Sequence, residues 1–209
     1  MRILGIDEAG RGCVLGDLVI AAFLLDGSDD ACLRDAGAAD SKALSPKRRI
    51  EARTKLTDLG QVSVRRVTPE QIDRANLNAL EEAAIVDLVK ATKPDVVKLD
   101  ALGHPSTLPG LQRRLQAALP RSLRPRWTIE PKADATYPVV GAASIFAKTL
   151  RDEALHALTD AFGELGSGYP GDPRTRTWLE SWARTGAPWP SFVRTRWATI
   201  EALAQQALL

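Results

Sequence analysis

The opening twelve residues, Met1-Arg-Ile-Leu-Gly-Ile-Asp-Glu-Ala-Gly-Arg-Gly12, constrain the fold more than any other stretch of the chain. Ile3, Leu4 and Ile6 form an apolar run that reads as a buried strand, and it delivers two adjacent acids, Asp7 and Glu8, into a glycine-flanked arginine. Successive strand residues point to opposite faces, so these two acids reach one site only where the strand bends as it ends. Gly10 and Gly12 permit such a bend. Lacking a Cβ, they also let backbone N–H groups come close to a ligand. A strand that simply ends in a polar turn is the alternative, and the rest of the chain decides between the two.

Leu18 to Leu25 reads as a second buried strand beside the first, and Cys13 between them has a packing role, with neither histidine close in sequence to act as its base. A short helix is expected around Cys32 and Leu33. Ser45 as N-cap and Pro46 at the first helical position start a helix running to about Leu59. Lys42, in the loop before it, is within reach of a phosphate. Gln61 to Val67 alternates like a strand. A helix then restarts at Thr68-Pro69-Glu70, and Leu80, Ala84, Ile85 and Leu88 recur at helical spacing up to about Thr92. Val96 to Asp100 repeats the opening pattern, a β-branched run that ends in an acid before a glycine-containing loop. Function in α/β sheets gathers where strand ends give way to loops, so Asp100 is a candidate partner for Asp7. His104 in that loop has no spaced ligand partner.

Leu108 to Leu119 reads as a helix and Trp127 to Glu130 as a final strand. From Pro138 a helix is expected to about Phe162, with Ser144, Lys148 and Arg151 or Asp152 on one stripe and Ala142, Ile145, Phe146 and Thr149 on the core-facing one. A hydroxyl and a lysine on one face suit phosphate beside a carboxylate site, and the small residues Gly141 to Ser144 allow another surface to approach closely. Gly166 to Pro173 reads as a hinge around Tyr169, which either plugs a core or presents its ring to a sugar. Beyond it, Trp178, Trp182, Trp189 and Trp197 interleave with arginines, as in a packed subdomain, a nucleic-acid wall, or both. Ala198 to Leu209 reads as a last helix.

Composition narrows the function class. The net charge of +2 hides basic clusters: eight Lys/Arg against two acids over 42–66, six against one over 113–132, and five against one over 174–196. Such clusters suit a polyanion bound over a limited footprint. No apolar stretch spans a bilayer, and the chain opens into a strand without a leader, so a soluble, non-secreted protein is expected. Cys13 and Cys32 match neither a metal knuckle nor a disulfide framework, which fits a reducing cytoplasm. At 209 residues and 44% hydrophobic content, one core with a C-terminal elaboration is expected.

The segments DEAGRG (7–12), DSK (40–42), KLD (98–100), KADATYPVVGAASIFAK (132–148) followed by Arg151-Asp152, and GSGYPGDP (166–173) together resemble the type 2 ribonucleases H, or ribonucleases HII, in that family's order. The hinge and tail are more similar to archaeal than to bacterial members. The resemblance implies an α/β ribonuclease H-like fold: a mixed five-stranded sheet flanked by helices, forming a catalytic domain over 1–165, and a helical substrate-binding lobe over 166–209. It implies cleavage of the RNA strand of RNA–DNA hybrids and at ribonucleotides embedded in duplex DNA, with two Mg²⁺ or Mn²⁺ ions held by Asp7, Glu8, Asp100 and Asp134. By the same carry-over Gly10, Arg11 and Gly12 read the ribose 2′-hydroxyl. Tyr169 packs on the sugar beside the cut, and Lys42, Ser144 and Lys148 lie near substrate phosphates. A monomer acting in ribonucleotide excision repair is implied. Cys13 and Asp17 stand where members usually carry proline, and no glutamine-plus-aromatic motif for docking a sliding clamp is evident in the tail.

Four carboxylates without ligand histidines or cysteines are what a pair of hard divalent ions needs. A type 3 ribonuclease H would carry an extra N-terminal substrate-binding domain, and here the strand starts at residue 2. A non-catalytic hybrid-binding module would have lost at least one of the acids.

Overall fold

Five strands make the sheet: β1 (Arg2–Ala9), β2 (Leu18–Asp26), β3 (Gln61–Val67), β4 (Val96–Asp100) and β5 (Arg126–Glu130). In the computed structural model, which describes residues 1–27, 30–38, 44–101 and 105–206, their order is β3-β2-β1-β4-β5. The sheet is mixed, with β4 parallel to both β1 and β5. Leu4 and Ile6 of β1 and Leu18 to Leu25 of β2 are buried, as continuous apolar runs in a sheet covered by helices must be.

The helices are α1 (Ala31–Asp35), α2 (Pro46–Thr57), α3 (Pro69–Arg74), α4 (Leu77–Thr92), α5 (Leu108–Ala118), α6 (Ala133–Thr136), α7 (Pro138–His156), α8 (Thr159–Phe162), α9 (Pro173–Arg184) and α10 (Ala198–Gln206). Ser45 caps α2 as its sequence predicts, its hydroxyl accepting from the Arg48 amide. Two expected helices are each divided. Thr68 and Gln71 form a reciprocal capping box that starts α3, but Ala75 is extended, and the Asn76 carboxamide accepts from the Ala79 amide to start α4 afresh. The helix from Pro138 stops at His156, where Thr159 donates its hydroxyl to the His156 carbonyl, and α8 follows as a separate turn. Among the described residues, no helix is long and apolar enough to cross a membrane.

The chain divides into two compact units. The first comprises 1–9, 20–65 and 81–149. Its core joins Ala21, Phe23 and Leu25 to Val139, Val140, Ala142, Ala143, Ile145, Phe146 and Ala147 of α7, with the Phe23 and Phe146 rings stacked at 6.1 Å. The close approach offered by the small residues of α7 is thus taken up by the unit's own interior. At Gly5 a Cβ would collide with the Val139 carbonyl, so α7 lies directly on β1 because residue 5 has no side chain.

The second unit comprises 10–19, 66–80 and 150–209. Its core gathers Val14, Leu15, Leu155, Leu165, Trp178, Leu179, Val193 and Ile200, and Trp182, Trp189, Phe192 and Trp197 pack against them. Trp178 stacks on Trp182 at 5.4 Å, Phe162 meets Phe192 edge-on at 4.8 Å, and the Trp178 indole N–H donates to the Phe162 carbonyl. The tryptophans of the tail build this core.

Candidate active site

The parallel register of β1 and β4 pairs Ile6 with Leu99, so the next residue on each strand, Asp7 and Asp100, emerges side by side at the carboxyl ends. Asp134 joins them from α6, which the chain enters through a left-handed Lys132 (φ 60°). Carboxylate oxygens of Asp7, Asp100 and Asp134 all lie within 4.8 Å of one another. Glu8, the next residue of β1, is half-buried and is not one of the three whose oxygens meet at that distance.

Each carboxylate is held. The Asp100 Oδ1 accepts from the amides of Ala101 (3.1 Å) and Ala133 (3.0 Å), which ties β4 to the start of α6. Asp7 Oδ1 accepts from the Glu8 amide at 2.8 Å, and the buried Ser144 hydroxyl of α7 also bonds to Asp7. Lys148, one turn beyond Ser144, places Nζ 3.9 Å from Asp134 Oδ2. Asp7 is 4% exposed and Asp134 2%. Burial pushes the Asp7 carboxyl up to about 6, the Asp100 charge adds to the rise, and Ser144, Lys148 and the Glu8 amide oppose it. Three carboxylates face one lysine, so an ionised cluster carries excess negative charge that a hard divalent cation with oxygen ligands would offset. The donor set fits such an ion.

The glycine-flanked arginine lies in the second unit. Gly10 has φ 88°, a left-handed conformation, and a Cβ there would stand 2.8 Å from the Asp17 carbonyl oxygen. Gly12 is exposed, and the Tyr169 ring lies beside it, with Cε1 3.7 Å from where a Cβ would sit. Tyr169 is 39% exposed; its hydroxyl bonds to the Cys13 thiol and the Gly10 backbone, and the Arg151 guanidinium lies 5.2 Å from its ring centre. The segment expected to be a hinge is tied down: Ser167 N–H donates to Asp172, Gly168 N–H to the Thr175 hydroxyl, and that hydroxyl to the Leu165 carbonyl. Hydrogen bonds from Arg174 and Ser167 hold the Asp172 carboxyl well below the usual range.

Lys42 and His104 lie outside the described residues. The sequence reading also missed a group. Arg194 is fully buried, and its guanidinium donates to the carbonyls of Gly10 (2.7 Å), Arg11 (3.0 Å) and Gly16 (3.0 Å). An arginine between tryptophans in a basic tail gives no sign of burial.

A family model, Ribonuclease HII, matches residues 4–200. The chain belongs to the ribonuclease HII family. It is 40% identical to the ribonuclease HII of Thermofilum pendens over 97% of its own length and 99% of that protein. The crystal structure of ribonuclease H2 from Pyrococcus horikoshii superposes with a TM-score of 0.89 at 37% identity, covering 100% of this chain and 99% of that one. The ribonuclease HII of Archaeoglobus fulgidus, solved in complex with PCNA, matches with a TM-score of 0.85 at 37% identity over 96% of both chains. This family is the type 2 one, so the chain is a type 2 ribonuclease H, a nuclease, with the archaeal similarity expected from its hinge and tail.

Proposed function

We propose that this nuclease cleaves the RNA strand of RNA–DNA hybrids and cuts duplex DNA at single embedded ribonucleotides, leaving 3′-hydroxyl and 5′-phosphate ends. The observation that carries this reading is the convergence of Asp7, Asp100 and Asp134 within 4.8 Å in a chain of the ribonuclease HII family. Two Mg²⁺ or Mn²⁺ ions, held by these three residues and Glu8, would supply a more acidic water and positive charge against the attacking and leaving oxygens. Ser144 orients the Asp7 carboxylate. Lys148 offsets the charge of Asp134 and stands ready for a substrate phosphate; Lys42 is given a phosphate partner on its sequence motif alone.

Selectivity needs separate groups, because a site that grips phosphate alone does not tell ribose from deoxyribose. The 2′-hydroxyl is both donor and acceptor, and the backbone of the Gly10-Arg11-Gly12 turn reaches it because its two glycines have no Cβ to intervene. Tyr169 packs on the neighbouring sugar. The exposed members of the basic clusters hold backbone phosphates, which gives affinity that falls with salt and little base preference. One copy of the chain carries every residue named here, and we assign it to ribonucleotide excision repair as a cytoplasmic monomer.

A DNA duplex containing one ribonucleotide, incubated with the protein in Mg²⁺ and separately in Mn²⁺, tests the reading. A single cut at the ribonucleotide, with 3′-hydroxyl and 5′-phosphate ends, is expected. Absence of cutting in both ions, or cutting that ignores the ribonucleotide, would contradict it.

A further inference from the structure

A fully buried arginine is costly, and the carboxylates whose charges favour it, Asp17 and Asp73, make no ion pair with it among the described residues. Its three guanidinium bonds go to main-chain carbonyls instead: Nη2 to Gly10, Nη1 to Arg11 and Nε to Gly16. Only a planar fork of donors spans three such acceptors at once. The residue is held in turn. Its amide donates to the Val14 carbonyl at 2.9 Å, and Asp73 of α3 accepts from the Thr195 amide and hydroxyl, both at 2.7 Å, and from the Arg196 amide at 3.3 Å.

The geometry of the peptide group gives this clamp a consequence. The Gly10 carbonyl and the Arg11 N–H belong to one planar unit and point in opposite directions, as do the Arg11 carbonyl and the Gly12 N–H. Drawing both carbonyls down onto Arg194 therefore turns the amides of Arg11 and Gly12 the other way. Gly12 is exposed there, with the Tyr169 ring beside it. Gly10, at φ 88°, has no side chain to resist the arrangement, and its freedom would otherwise leave the two planes poorly fixed.

We propose that Arg194 is a positioning residue for ribose recognition: by clamping the carbonyls of Gly10, Arg11 and Gly16 it aims the turn's amides at the 2′-hydroxyl, with Asp73 anchoring the segment that carries it. The proposal rests on the reading that this turn senses the ribose. It assigns Arg194 no contact with substrate, so its loss affects discrimination rather than phosphate binding.

The test is the ratio of dissociation constants for two duplexes, one all DNA and one with a single ribonucleotide, measured by fluorescence anisotropy in EDTA so that neither is cut. Wild type prefers the ribonucleotide duplex several-fold. Arg194→Gln brings the ratio close to one while affinity for the all-DNA duplex stays within about twofold of wild type. Arg194→Lys also lowers the ratio, because an ammonium keeps the charge but does not span three carbonyls. Asp73→Asn, farther out on α3, lowers it partly, and decides the question by the same ratio should the Arg194 variants fail to fold. Folded variants that keep the wild-type ratio, or that weaken both duplexes equally, would overturn the proposal. A wild-type ratio of one would instead remove ribose sensing from the turn, and the proposal with it.

Discussion

Asp7 pays for its position at the end of β1 in proton affinity. Its carboxyl titrates near 6 in the fold, against 3.8 for an unperturbed side chain. Between those values the folded protein binds more protons than the unfolded chain, so stability falls as pH rises through this window. In EDTA, the stability that Asp7 contributes is fully present below about pH 4 and lost by about pH 6 to 7, a change on the order of 3 kcal/mol. Urea melts from pH 4 to 7 on wild type and Asp7→Asn measure it: the wild-type midpoint should decline relative to that of the variant. Parallel curves would show that Asp7 is not strained by burial. At this scale the acids at the ends of β1 and β4 were legible only together, because a strand that ends in a carboxylate is an ordinary polar turn when taken alone and the pattern stands out by recurring. Ser144 and Lys148 were legible as a helical stripe. Arg194 was not, since its partners are main-chain carbonyls at least 178 positions away and no pattern of side chains records them.

Among the elements, β1, β4 and α7 matter most. Parallel pairing in register places Asp7 beside Asp100, and α7 brings Ser144 to Asp7 and Lys148 to Asp134 only because Gly5 lets its first turn rest on β1. Gly5→Ala would force α7 outward. We expect it to cost about 1–3 kcal/mol, typical of overpacking, and to lower the melting temperature by several degrees. It should also reduce kcat, since both polar side chains of α7 move with the helix. An unchanged melting temperature would mean that this contact is looser than the structure shows. Strand and helix identities followed from apolar periodicity, but the breaks at Ala75 and His156 did not. They depend on single side-chain bonds, from Ala79 to Asn76 and from Thr159 to the His156 carbonyl, that compete with the helix and leave periodicity almost untouched.

For the molecule as a whole, a net charge of +2 conceals opposed requirements. Basic clusters suit a polyanionic substrate, while the reaction asks for concentrated negative charge in one place. The α/β class could be read from alternating strand and helix signals, whereas the fate of the tryptophan-rich tail could not. Its period suited a core and a binding wall equally, and only the ring contacts of Trp178, Trp182 and Phe192 assign these side chains to packing. The central claim is that acids from three separate elements form one cation site. Titrating Mn²⁺ into the protein at pH 7.5, with calorimetric detection, tests it most directly on wild type, Asp7→Asn, Asp100→Asn and Asp134→Asn. Wild type should bind Mn²⁺, and each substitution should weaken that binding at least tenfold while the variants stay folded. Wild-type protein that takes up no Mn²⁺, or folded variants that bind it as wild type does, would contradict the claim.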